Sequence, residues 1–191
     1  MKVIGIVGSP RIEGNTEQLT QEALSIIKGN GIDTELIRLA EKNILPCTAC
    51  DACESEETCP LDDDLLPLYH RLKQADGIIL ASPVYFGSAT PQLKAFMDRA
   101  GYISYNNGYT FARKAGGPLV VAGRNGGNFT NAQLILWFMI LGMIVPGSND
   151  WNTAFGTKAG EVWEDTSGID TVRVFADNLA WLVKKLGQPT V

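Results

Sequence analysis

Histidine is nearly missing from this chain: there is one, His70, in 191 residues. A His-based catalytic triad or a His-rich metal site is therefore not expected, and His70 reads as a surface or capping residue. Basic side chains are the minority, 16 against 21 acidic ones, for a net charge of -5. A nucleic-acid surface needs a basic stripe, so no nucleic-acid partner is expected. Long apolar runs are lacking too. The longest, Leu134 to Val145, is broken by Gly142 and is far short of the roughly 20 residues of a membrane span. The apolar run in the opening MKVIGIVGSP is too short for a signal peptide. These absences predict no membrane partner and a cytoplasmic location, where thiols stay reduced. Cysteine is confined to one segment, between positions 47 and 59.

What is present is a regular alternation. Residues 2–7, 33–39, 77–82, 118–122 and 143–146 read as short strands, rich in β-branched residues or alternating in polarity. Helices are expected from Thr16 to the Gly29-Asn30-Gly31 stop, over 61–75, from Thr90-Pro91, over 129–141, and over 169–186. Residues 101–116 and 147–167 read as loops. The length suits a single domain, 1–191, with a cysteine-bearing loop at 43–60. Alternating strands and helices predict an α/β, three-layer sandwich with a five-stranded parallel sheet in the flavodoxin-like order 2-1-3-4-5. In such a sheet ligands bind beyond the carboxyl ends of the strands. The loops after residues 7, 82 and 122 should then carry the chemistry.

The first of these runs from Gly8 to Thr16 (GSPRIEGNT). It leads into a helix N-terminus, where unpaired amides and the helix dipole favour an anion. Ser9, Gly14, Asn15 and Thr16 suit an anion, and Arg11 can add a charge. The loop is neither G-x-x-x-x-G-K-[ST] nor G-x-G-x-x-G, which disfavours ATP or a dinucleotide here. The plainer alternative is a turn capped by Thr16. The second loop supplies Pro83, Val84, Tyr85 and Phe86 as an apolar wall and Gly87 for close backbone approach. The third, Gly123-Arg124-Asn125-Gly126-Gly127, offers amides and Asn125 to a polar ring edge. Arg124 faces either inward or outward.

Cys47-x2-Cys50-x2-Cys53-x5-Cys59, followed by Pro60, is the most distinctive pattern. Three cysteines three residues apart fold round one compact inorganic core, and a fourth closes it. The spacing resembles the bacterial ferredoxin run, although there the fourth cysteine serves a second cluster. With no further cysteine, all four would ligate one [4Fe–4S] cluster. Zinc held by four thiolates is the main alternative, and no metal the other.

The strings S-P-R-x-x-G-N-T and S-P-V-Y-F-G-S-x-x-P-Q-L-K-A-F-x-D-R resemble the NAD(P)H-dependent FMN reductase branch of the flavodoxin-like superfamily. Joined to the cysteine run, they resemble the iron–sulfur flavoprotein family over nearly the whole chain, including the G-x-x-x-G-E-V-x-x-D stretch at 156–165. The resemblance implies FMN with its phosphate on the first loop and its ring beside the second and third. It implies an FMN-dependent oxidoreductase and a homodimer or homotetramer. The donor would be a one-electron carrier such as ferredoxin, or NAD(P)H, and the acceptor a small molecule. An NAD(P)H-dependent FMN or quinone reductase with zinc or no metal at its cysteines is the alternative function. Lys94, Asp98 and Arg99 read as structural. No catalytic acid or base is expected of the protein, which holds and tunes cofactors.

Charge is uneven. Residues 43–70 have no Lys or Arg and seven acids: Asp51, Glu54, Glu56, Glu57, Asp62, Asp63 and Asp64. They read as a solvated acidic face, or as carboxylates that lower a cluster's potential and repel acidic carriers. Tyr102, Tyr105 and Tyr109 are candidates for a lid.

Overall fold

The structure, a computed structural model, describes residues 1–187. Its sheet has five parallel strands in the order β2 (Asp33–Arg38), β1 (Lys2–Val7), β3 (Gly77–Pro83), β4 (Ala115–Ala122) and β5 (Thr153–Phe155). Helices α1 (Asn15–Gly29) and α5 (Thr166–Leu186) cover one face. The other carries α2 (Leu65–Gln74), α3 (Pro91–Asn106) and α4 (Gly127–Ile140). The alternation inside β1 explains the two cores. Ile4 and Ile6 pack towards Leu72, Phe96 and Phe138, while Val3 packs towards Leu19, Phe175 and Leu179. This is the expected flavodoxin-like sandwich.

Several boundaries differ from the sequence reading. Met143-Ile144-Val145-Pro146 is not β5: Ile144 makes one isolated bridge to Ala115, and Pro146, with no amide to donate, follows it. The chain leaves the sheet and pairs again only at Thr153–Phe155, opposite Val120–Ala122. Residues 101–106 continue α3. Gly101 does not break the helix; it makes room for the Trp137 indole, which a Cβ would meet at 2.7 Å. Likewise Gly116 and Gly117 belong to β4, because Phe138 and Phe175 press on its two faces there.

Candidate functional site

Two hollows lie near the expected chemistry. The first opens beyond the carboxyl ends of β1, β3 and β4. It is lined by Ser9, Arg11, Gly14, Asn15 and Thr16 after β1, Pro83, Val84 and Tyr85 at the end of β3, and Gly123 after β4. Its space, mouth included, is about 680 Å³. A fourth wall comes from Gly156, Thr157 and Ala159 after β5. The sequence reading missed that wall because it placed β5 ten residues early.

Gly14, not Thr16, is the N-cap of α1, so the helix begins one residue before the expected start. The Gln18 amide is the first to reach a carbonyl, that of Gly14 at 3.0 Å. The amides of Asn15, Thr16 and Glu17 are left facing the loop, and they form the anion cradle. The Ser9 hydroxyl tightens the turn by accepting from the Arg11 amide at 3.1 Å. The Arg11 guanidinium crosses the pocket mouth to the Thr157 carbonyl at 3.2 Å. The Asn15 side chain is a strut rather than a free donor. Its Nδ2 donates to the Lys158 carbonyl at 2.8 Å, and its Oδ1 accepts from the Gly160 amide at 2.8 Å.

That strut gives the 156–165 stretch its physical meaning. A Cβ on Gly156 would stand 2.8 Å from Asn15 Nδ2. Glu161 accepts from the Thr157 and Lys158 amides, both at 2.8 Å. Val162 is buried, and Asp165 caps α5 at the Gly168 amide while holding the Phe155 amide. The first helical turn also holds a buried acid, Glu17, paired with Arg38 at 2.6 Å. The Arg38 hydrogen bond holds the Glu17 carboxyl below its usual range, against the opposing effect of burial and with help from the Glu13 amide. Pairing spares the anion cradle an uncompensated negative charge.

The second loop departs from a flat wall. Phe86 and Gly87 both have positive φ, 52° and 76°, and Tyr85 and Ser88 exchange hydrogen bonds across them. Phe86 stands fully exposed at the tip and does not line the pocket. A Cβ on Gly126 would lie 3.1 Å from Gly87 Cα, so the second and third loops are in contact there. Arg124, Asn125, Gly126 and Gly127 line a neighbouring hollow with Phe129, Trp151 and Phe155. Arg124 is exposed. Gly123 alone of the third loop faces the first pocket.

The second hollow gathers all four cysteines. Cys47, Cys50, Cys53 and Cys59 line it with Pro60, Leu61, Arg99, Tyr102 and Ile103, and its space, mouth included, is about 360 Å³. Ala49 and Asp51, on either side of Cys50, have φ of 51° and 58°. Alternating backbone signs of this kind turn successive amides inward, a concavity typical of anionic and iron–sulfur centres. The Ala49 amide points at Cys47 Sγ, 3.4 Å away. Burial pushes the Cys53 thiol up. Among the described residues, no group of three or more His, Cys, Asp or Glu side chains is placed to hold a single metal ion. Tetrahedral zinc needs four sulfurs about 2.3 Å from one centre. Four thiols round one hollow are a donor set that an iron–sulfur core or a zinc ion would use.

The acids of this segment are not all solvated. The Asp63 side chain is wholly buried and forms a two-pronged ion pair with Arg99, whose side chain is 2% exposed. Glu57 accepts from Tyr69 at 2.7 Å and from Lys73 at 2.6 Å. Asp64 accepts from the Asn43 amide at 2.8 Å. Tyr102 lines the cysteine hollow and donates to Glu54. It is a wall of that hollow and does not line the strand-end pocket. Arg99, read from the sequence as structural, lines this hollow and donates to Cys59 Sγ at 3.0 Å.

Residues 1–158 match the NADPH-dependent FMN reductase family. An iron–sulfur flavoprotein of Methanocaldococcus jannaschii is 45% identical, covering 96% of this chain and 98% of that protein. One of Methanosarcina thermophila is 40% identical, covering 94% and 93%. The chain belongs to the iron–sulfur flavoprotein family. It is an FMN-dependent oxidoreductase. Among solved structures, RosB with a bound 8-demethyl-8-formylriboflavin-5'-phosphate intermediate superposes with a TM-score of 0.80 at 18% identity, covering 97% of this chain and 80% of that one. An archaeal flavodoxin superposes at 0.65 and 16% identity, covering 96% and 99%. These two likenesses concern the fold. No helix among the described residues is long and apolar enough to cross a membrane.

Proposed function

We propose that the chain passes electrons between a one-electron carrier and a two-electron acceptor, through FMN in the strand-end pocket and a [4Fe–4S] cluster in the cysteine hollow. The observation that carries this reading is the convergence of Cys47, Cys50, Cys53 and Cys59 on one hollow, separate from the anion cradle. When bound, FMN supplies one- or two-electron chemistry and the cluster one-electron chemistry. The amides of Asn15, Thr16 and Glu17 hold the phosphate, with Ser9 and Thr16 beside them. Pro83, Val84 and Tyr85 supply the ring's apolar wall, and Gly123 lets the backbone approach its polar edge. Asn15 and Arg11 keep the 156–159 wall closed against the cradle.

The partners follow from surface chemistry. Asp51, Glu56 and Asp62 stay exposed beside the exposed Cys47 and Cys50. This face favours a basic carrier and disfavours an acidic ferredoxin, whose reduction of the cluster should then respond to salt. The apolar outer face of α4, with Leu136, Met139 and Ile140 each more than 60% exposed, suits a homodimer or homotetramer. A cytoplasmic setting agrees with four free thiols.

The deciding experiment is anaerobic purification with iron, sulfide, zinc and FMN assayed on one sample. About four iron and four sulfide per chain beside one FMN is the expected result. FMN with zinc or no metal would overturn the cluster and leave an NAD(P)H-dependent FMN or quinone reductase.

A further inference from the structure

We propose that Arg99 sets the reduction potential of the centre held by the four cysteines, by a charge-assisted hydrogen bond to the Cys59 sulfur. The inference rests on the cluster reading above. Arg99 lies on α3 with its side chain 2% exposed, and it reaches across to a loop 40 residues earlier in the chain. Its two terminal nitrogens spend all four hydrogens. Nη1 donates to Asp63 and to the Leu45 carbonyl, at 3.0 Å for the latter. Nη2 donates to the other Asp63 oxygen at 3.1 Å and to Cys59 Sγ at 3.0 Å. Three of these contacts are enough to tie the loop to α3. The fourth is aimed at a ligand atom.

Among the described residues no other lining group brings a positive charge to a ligand sulfur; the Ala49 amide at Cys47 Sγ is a neutral donor. Arg99 is the one cation among the residues that line the hollow, and residues 43–70 contain neither Lys nor Arg. The fork is held rigidly, since Asp63 grips both terminal nitrogens. The pair is neutral as a whole but presents its positive end to the sulfur. Reduction moves one electron from the carrier onto the cluster, adds one negative charge and breaks no bond. A buried donor at a ligand sulfur stabilises that added charge and raises the potential. The exposed carboxylates of Asp51, Glu56 and Asp62 push the other way, but through water and salt. Arg99 acts without that screening.

The test uses anaerobically purified Arg99→Gln and Arg99→Lys, with iron, sulfide and FMN counted first. Cluster and flavin potentials are then read in one titration followed by electron paramagnetic resonance. Arg99→Gln is expected to weaken the cluster's one-electron affinity about tenfold, a drop of about 59 mV, with the flavin potential unmoved. Arg99→Lys should fall between the two. A purely structural tie would leave the potential of a fully loaded cluster unchanged, and that result overturns the proposal. Should both variants lose the cluster, the wild-type protein decides. With arginine labelled by 15N in its guanidino group, the reduced cluster should show 15N hyperfine coupling, and its absence overturns the proposal. Iron-free wild-type protein would instead overturn the cluster reading itself, so the two failures are distinguishable.

Discussion

The strand-end pocket and the cysteine hollow lie on one sheet but are held differently. In the first, the anion cradle is backbone, the first-turn amides of α1, with Gly123 and the 156–159 turn lining the same pocket. The sheet sets their positions, and side chains such as Asn15 and Glu161 act as struts behind them. In the second, the walls belong to a segment with only one short 3-10 turn, at Ala52–Glu54. Side chains moor it: Arg99 to Asp63, Glu57 to Tyr69 and Lys73, and Asn107 to the Cys53 carbonyl at 3.0 Å. A site made by strand ends comes with the fold. A site made by a loop needs its own anchors, and it can be lost without losing the fold.

Cys53→Ala breaks the comparison most sharply. Iron and sulfide should be lost and one-electron transfer abolished, while FMN binding stays within about twofold of wild type, a change of about 0.4 kcal/mol. Iron assay and a flavin titration on the same preparation measure both. Loss of FMN together with iron would show that the two pockets are one cooperative unit. Asp63→Ala comes next. It leaves the Arg99 charge buried and unpaired, which should cost about 3–5 kcal/mol, read from urea unfolding of the cluster-free protein. A cost below about 1 kcal/mol, the scale of a surface ion pair, would mean that the loop has other moorings of equal weight.

How much of this contrast was legible in the sequence depends on what held each part. The sheet order was legible from the alternation of strands and helices, and the loop into α1 and the cysteine run from their residue types and spacing. The fourth wall was not. Met143-Ile144-Val145 looks like a strand, and only the geometry of Pro146 and the return at Thr153 reveals that the partner of β4 is split. The 156–165 stretch was visible as a pattern but had no physical reading until Asn15 was seen to bind its backbone. Arg99 carried a signal that was passed over. It shares a helix face with Phe96, Ala100 and Ile103, all buried. A charged residue on that stripe needs a buried partner, and residues 43–70 hold seven acids without one local cation to match.

The strut can be tested more gently. Asn15→Ala removes the bonds to Lys158 and Gly160 and should cost about 1–3 kcal/mol of stability. It should also weaken FMN about tenfold, as the 156–159 wall loosens, and leave iron content unchanged. Fluorescence titration of the FMN-free protein reads the affinity. Unchanged affinity would mean that the wall stands without its strut and that the strand-end pocket needs no side-chain support there.

The smallest effect, and the finest cut, concerns acid. Glu17 lies beneath the anion cradle, and its pairing with Arg38 keeps its carboxyl below the ordinary value of 4.5. A carboxyl that binds its proton less readily when folded stabilises the fold wherever it is ionised in both states. That contribution is complete above about pH 4.5, its unfolded value, and disappears as pH falls through the folded value. Glu17→Gln should therefore cost about 1–2 kcal/mol at pH 7, and progressively less below pH 4.5. The unfolding free energies of the two proteins should converge in acid, which urea titrations at pH 7, 4.5 and 3.5 would show. A difference that holds constant down to pH 3.5 would mean that the pair acts by packing rather than by charge. Asp63 is also held below its usual range. Burial alone would raise it, but Arg99 and the amides of Leu45 and Leu65 outweigh that. Acid should thus weaken both sites in the same direction. In the strand-end pocket it removes a support behind backbone that the sheet still positions. In the cysteine hollow it removes the mooring itself, so in acid the cysteine segment should release before the anion cradle does.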